Sequence, residues 1–178
     1  DYMILAVVER RTSSTATIDD WKTLSTSTAG TNISATIFVR TVGDSEPTSY
    51  VVSFGSIATN VGAAIVAYRN VSASTQIGNP PVVGRYNAAK GAVDVPPVDV
   101  EQPNSSIVYI YYDSNASSAN GWNATLGLNE RSDNGYVAIY DALYPNSTPS
   151  AVYNGPAASR NLSASSSFDV QALVLPAQ

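Results

Sequence analysis

The chain has 178 residues, 14 acidic and nine basic, for a net charge of -5, and it contains neither cysteine nor histidine. Without cysteine there is no disulfide framework, zinc knuckle or thiol nucleophile. Without histidine there is no Ser-His-Asp triad, and the commonest general base and transition-metal ligand are missing.

The length suits one domain able to bury a sizeable core. Charged residues are 13 % of the chain, about half the usual share, so basic side chains are too few and scattered to neutralise phosphates, and nucleic acid is not an expected partner. Ser and Thr together number 38 and Tyr 11, against two lysines, a balance that favours pleated, half-buried sheet surfaces over surface helices. It is also a composition common in secreted and virion-surface β proteins. No apolar run approaches the length of a membrane-spanning helix, so no membrane insertion of that kind is expected.

In chain order, strand-length runs alternate with turn residues. Residues 2–9 open with the apolar run from Met3 to Val8, and 21–26 begin at Trp21. Residues 34–41 alternate so that Ala35, Ile37 and Val39 share one face. Residues 49–54 and 62–70 follow; Ala63 to Ala67 has a helical composition, but β-branched Ile65 and Val66 and the following Tyr68 favour a strand. Pro80-Pro81 and Pro96-Pro97 bar a helix interior or a central strand at those positions. The stretch 72–105 therefore reads as a connector, with 92–100 as an edge strand broken by its prolines. Residues 106–113 are apolar on both faces, as in a strand packed from both sides, with Tyr109 and Tyr111 on one face and Tyr112 on the other. Residues 123–129, 135–144, 151–153, 162–164 and 168–175 complete the set. Many short strands and almost no helical signal predict an all-β chain folded as an antiparallel, jelly-roll-like β-sandwich.

An internal repeat runs through this pattern, about 2–71 and 106–175. Each half reads as an opening strand, a tryptophan segment, an aromatic strand, a short strand and a closing strand. Trp21 follows Ile4, and Trp122 follows Ile107, at similar distances. Two copies of one strand module closing on each other would make a single sandwich.

The runs Tyr2-Met3-Ile4-Leu5-Ala6-Val7-Val8, Trp21-x-x-Leu24, Phe38-Val39-Arg40, Ser45-Glu46-Pro47-Thr48-Ser49-Tyr50, Gly62 to Val71 and Gln171-Ala172-Leu173-Val174-Leu175 resemble a β-sandwich module. That module is found in structural and tail-associated proteins of tailed bacteriophages and in bacterial surface proteins. The resemblance implies a scaffold with no catalytic residues to carry over. It implies a virion-surface or extracellular location, as a capsid decoration or a tail or fibre component, whose partners are other copies of the chain and other virion proteins. The tyrosine- and Asn-rich second half departs from the pattern.

Paired carboxylates could hydrolyse a glycosidic bond, and Asp94, Asp99 and Glu101, or Asp19-Asp20, are the nearest pairs; none sits in a recognisable motif, and solvated turn carboxylates are the plainer reading. Catalytic residues and a bound cofactor are therefore not expected. Calcium, which takes oxygen ligands, is the more credible ligand for a chain rich in Asp, Asn and Ser, at Asp113-Ser114-Asn115, Arg131-Ser132-Asp133-Asn134 or Asp19-Asp20. None has EF-hand spacing, and Asp133-Asn134-Gly135 is first a hairpin turn. Seven sequons start at Asn32, Asn70, Asn104, Asn115, Asn123, Asn146 and Asn161, against roughly three by chance; glycosylation and turn chemistry both account for them. Finally, Tyr109, Tyr111, Trp122, Tyr140 and Tyr144 are candidates for an exposed aromatic patch that stacks on a host surface glycan or meets a neighbouring subunit. Three classes follow: a non-enzymatic virion-surface subunit, a carbohydrate-binding adhesin domain, and a filament or surface-layer subunit assembled by strand exchange.

Overall fold

The structure is a computed structural model and describes residues 1–10, 15–29, 33–56, 58–71, 78–86, 92–93, 97–100, 102–113, 122–124, 127–144, 151–153, 158–159 and 168–177. Among them there is no helix. The strands are β1 (Tyr2–Glu9), β2 (Ala16–Thr17), β3 (Lys22–Ala29), β4 (Ile33–Thr41), β5 (Ser53–Phe54), β6 (Gly62–Tyr68), β7 (Gly78–Tyr86) and β8 (Ala92–Val93). They continue as β9 (Val98–Val100), β10 (Ser106–Asp113), β11 (Asn123–Ala124), β12 (Asn129–Asp133), β13 (Val137–Leu143), β14 (Ala151–Tyr153), β15 (Ala158–Ser159) and β16 (Phe168–Leu175).

Two antiparallel sheets pack face to face as a β-sandwich. The first has the order β3-β4-β1-β6 and the second β12-β13-β10-β16-β7. Period-two alternation explains the packing. On β1, Ile4, Ala6 and Val8 point inward and meet Val108, Ile110 and Tyr112 of β10 in a shared core. The opposite faces are apolar too, so each sheet needs a cover on its outer side. Met3, Leu5, Val7 and Phe38 lie under Trp21, Tyr50, Val52 and Phe54. Ile107, Tyr109, Tyr111 and Tyr140 lie under Trp122, Val98 and Val100. Three apolar layers thus alternate with two sheets, each fully buried aliphatic side chain contributing about 1.5–3 kcal/mol of transfer free energy.

The first sheet comes from residues 2–68; four strands of the second, β12-β13-β10-β16, come from 106–175 and are wired like it, and β7 from the stretch between adds a fifth strand at the edge. β1 and β10, which open the two repeats, are each flanked on one side by a hairpin, β4-β3 and β13-β12, and on the other by the last paired strand of the repeat, β6 and β16. β1 and β10 also share one burial pattern, half-buried at the first residue and buried at the other seven.

Several strand expectations change in detail. The run at 49–54 shrinks to β5, because the chain from Val42 to Tyr50 is held outside the ladder by side-chain bonds described below. The run at 123–129 divides into β11 and β12; Gly127, at φ 103°, lies in the left-handed region that ends an extended run. The run at 92–100 becomes β8 and β9, in different small sheets, and 162–164 lies outside the described residues. The connector holds a strand that the prolines concealed. β7 is the edge strand of the second sheet, and Pro80 and Pro81 fall where its register with β16 shifts, between Ala172 and Val174. An edge position with a bulge is where a residue lacking an N–H is tolerated.

Candidate functional site

The aromatic patch expected at the surface is not there. Tyr109, Tyr111, Trp122, Tyr140 and Tyr144 are all buried in the outer core of the second sheet. Tyr112 lies on the opposite face, in the shared core, as period-two alternation requires, and both faces of this sheet are covered. Tyr111 packs against Trp122, ring centroids 5.2 Å apart, and edge-on to Tyr140 at 5.8 Å. Tyr140 Oη donates to the Trp122 carbonyl at 2.7 Å. No face of these rings is left for a sugar or a neighbouring subunit to stack on, so they are packing residues. Burial raises the Tyr111 and Tyr112 hydroxyls well above the ordinary tyrosine range, with nearby Tyr140 and Asp169 adding to it.

The oxygen-rich loops expected to suit calcium are occupied by turn chemistry. Asp133 Oδ2 accepts from Trp122 N at 2.6 Å and its Oδ1 from Gly135 N at 2.7 Å. Asn134 Oδ1 accepts from Tyr136 N and Val137 N at 3.1 and 2.9 Å. Asn134 Nδ2 reaches across to Ala63 O at 2.8 Å, which ties the β12–β13 turn to β6 of the other sheet. Asp19 and Asp20 are exposed, Asp20 at φ 61°, and Asp113 is buried while Ser114 and Asn115 lie outside the described residues. Among the described residues no three metal-ligating side chains converge. Of the carboxylates weighed for hydrolysis, Asp99 is an exposed residue of β9, and Asp94 and Glu101 fall outside the described residues.

Two sequons are exposed, at Asn70 and Asn104, and both asparagines have positive φ, 57° and 58°. Asn tolerates that region better than other residues with a Cβ, so turn geometry accounts for asparagine at both sites. Asn123 lies in β11; Asn32, Asn115, Asn146 and Asn161 lie outside the described residues.

Two polar clusters stand out. In the first, Glu46 accepts from Gly43 N at 2.5 Å and from the Tyr50 hydroxyl, and its carboxylate lies 3.6 Å from the Arg40 guanidinium. Arg40 lies 5.8 Å from the Tyr50 ring centre, and Tyr50 stands edge-on to Trp21 at 5.1 Å. The Tyr50 bond, then the Gly43 bond, lower the Glu46 pKa. The Glu46 to Tyr50 segment that carried part of the resemblance is thus a clasp that lays Tyr50 over Trp21. The second cluster was not anticipated. Ser27 of β3 meets Asp169 and Gln171 of β16 between the sheets, all three buried. Its signal in the sequence was a carboxylate and a carboxamide inside an otherwise apolar closing strand.

The chain matches no known protein family, no curated protein and no solved structure.

Proposed function

We propose that this protein is a non-enzymatic structural subunit of a virion surface or a comparable extracellular assembly, joined to further copies of itself along the edge of its first sheet. The observation that carries the reading is β6. It is an edge strand with no charged residue and no proline from Gly62 to Tyr68, and its outward side chains are Ala63, Ile65 and Ala67, with Ile65 44 % exposed. Isolated proteins protect such edges with charge, proline or a covering segment, whereas assembling proteins use them for strand addition.

The run is also self-complementary. A two-fold antiparallel pair centred on Ile65 sets Ala64 opposite Val66 and Ile65 opposite its own copy, so no like charges meet, as a symmetric contact requires; Asn134, which bonds the Ala63 carbonyl, marks the margin of that contact. The resemblance of the opening, Trp21 and closing segments to phage and surface modules supplies the viral or cell-surface context. The adhesin alternative loses its proposed contact surface with the burial of the tyrosine set. Even Tyr111→Ala would hollow the core rather than remove a site.

Sedimentation velocity over a range of concentrations, with Ile65→Lys as the comparison, tests the reading. Self-association of the native chain that Ile65→Lys reduces supports it; a native chain that stays monomeric throughout overturns it. Electron microscopy of the source particle then places the copies on a capsid, tail, fibre or cell surface.

A further inference from the structure

Ser27, Asp169 and Gln171 form a buried polar group inside the sandwich, on β3 of the first sheet and β16 of the second. Alternation along β16 points Asp169 and Gln171 inward together with Leu173 and Leu175. Ser27 Oγ donates to Asp169 Oδ2. Gln171 Nε2 lies 3.0 Å from Ser27 Oγ, 3.5 Å from Asp169 Oδ2 and 3.5 Å from Ala35 O. Ser27 is 2 % exposed, and Asp169 and Gln171 are both 0 % exposed.

Such a group is a costly way to fill a core, since three polar side chains are taken out of water and Gln171 Oε1 is left without a partner among the described residues. Its parts are those of an activated nucleophile: a hydroxyl bonded to a carboxylate base, with an acyl group alongside. The Gln171 Cδ is one amide bond, about 1.3 Å, from the nitrogen already in contact with Ser27 Oγ. The same Asp169 oxygen that accepts from Ser27 faces the nitrogen that would leave.

We propose that Ser27 and Gln171 become joined by an intramolecular ester that staples β3 of the first sheet to β16 of the second. Asp169 takes the Ser27 hydroxyl proton as Oγ attacks Gln171 Cδ. The tetrahedral centre then collapses, the Cδ–Nε2 bond breaks, Asp169 returns the proton to nitrogen, and ammonia leaves. One C–O bond forms and one C–N bond breaks; nothing is oxidised or reduced and no further reactant is consumed. Gln171 Oε1, which has no partner among the described residues, carries the transient negative charge. Tyr112, paired directly with Asp169 and on the same inward face, adds a buried hydroxyl with no acceptor among the described residues. Holding the groups in contact supplies the orientation that makes an amide reactive. Burial then keeps water from the ester, and the escape of ammonia makes the step one-way. The staple closes a loop of chain between positions 27 and 171 and resists separation of the sheets under load, whatever the protein's partners are.

Intact mass measurement of the purified full chain, after denaturation, tests this directly. The expected mass is that of the sequence less one ammonia, and digestion should yield one branched peptide joining the segments that contain Ser27 and Gln171. Ser27→Ala should restore the full mass, and Asp169→Asn should slow the loss by about 10²-fold or more, as removal of a general base does. A full sequence mass with both residues in separate linear peptides overturns the proposal, and that result needs no variant to fold. So does a mass deficit that maps to an Asn-Gly pair such as Asn134-Gly135, where ring closure also expels ammonia.

Discussion

Phe38 and Tyr140 occupy the same place in the two sheets. Each pairs across the central strand with an outward-facing residue, Leu5 for Phe38 and Tyr109 for Tyr140. Each also pairs on its other side with the residue just before a bulge, Thr23 and Glu130, after which the register resumes at Ser25 and Ser132. The same hydrogen bond closes each sheet, from Val42 N to Asp1 O at 3.0 Å and from Tyr144 N to Ser105 O at 2.8 Å. The two repeats are therefore equivalent in pairing detail as well as in the order of these strands, and each has a tryptophan in the outer cluster that contains the equivalent aromatic residue.

This equivalence predicts matched energetics. Phe38→Ala and Tyr140→Ala each empty a buried ring site and should each cost about 3–5 kcal/mol in denaturant unfolding. Tyr140→Phe should cost only about 1 kcal/mol, for the lost bond to the Trp122 carbonyl. Leu143→Ala, at a side chain 62 % exposed, serves as the control and should change stability by less than about 0.5 kcal/mol. A Phe38→Ala effect as small as the control's would show that the outer layer of the first sheet is not a core.

Gly62 is required by the approach of the sheets at the β6 side. A Cβ there would lie 2.3 Å from Tyr136 Cβ and 3.2 Å from Val8 Cγ1. Because Tyr136 Cβ is fixed to its backbone, rotamer change gives no relief. Gly62→Ala should therefore destabilise by about 1–3 kcal/mol as an overpacking substitution, whereas Gly55→Ala, with nothing within 4 Å, should be tolerated. Thermal melts of the two variants make the comparison.

Much of this architecture is legible in the residues. Strands at 2–9, 106–113, 151–153 and 168–175 follow directly from apolar runs bounded by turn residues, and the alternation of Tyr109, Tyr111 and Tyr112 gives their faces correctly. What alternation does not give is whether a second layer lies over a face. Tyrosine fits an exposed patch and a buried layer equally well, and the cover comes from short segments, such as β9 and the residues at Trp122, whose place over the sheet no periodicity reveals. The strand β7 was hidden because proline forbids a central position but permits an edge, a distinction that requires the sheet order. The Ser27, Asp169 and Gln171 group was hidden because Ser27 lies more than a hundred residues from the other two and meets them only when the sheets do.

The Glu46 clasp predicts a specific acid response. Its carboxylate is held below the usual range, first by the Tyr50 hydroxyl and then by Gly43 N. A depressed folded-state pKa contributes stability above the unfolded-state pKa and loses it as pH falls through the folded-state value. The native near-ultraviolet circular dichroism, which reports Tyr50 against Trp21, should persist through the ordinary glutamate range and change only at lower pH. Glu46→Gln removes the ionisable partner and should abolish that low-pH step.

At the alkaline end the sign reverses and the effect is larger. Burial is the chief cause that raises the hydroxyls of Tyr68, Tyr111, Tyr112 and Tyr140 above the ordinary value of 10.0. In the unfolded chain these groups ionise near that ordinary value, while in the sandwich they stay neutral. A raised folded-state pKa gives stability that is complete below the unfolded-state value and lost as pH climbs past it. For each of Tyr111 and Tyr112, which are fully buried, the loss approaches about 1.4 kcal/mol per pH unit above that point. Two such residues titrating together are enough to exhaust the stability of an ordinary domain within a few units. Unfolding and tyrosinate absorbance should therefore rise together in one steep transition above pH 10, and Tyr111→Phe should make the alkaline limb shallower. Gradual tyrosinate formation in a chain that keeps its β-sheet circular dichroism would mean that water reaches these rings and that the layer over the second sheet is open.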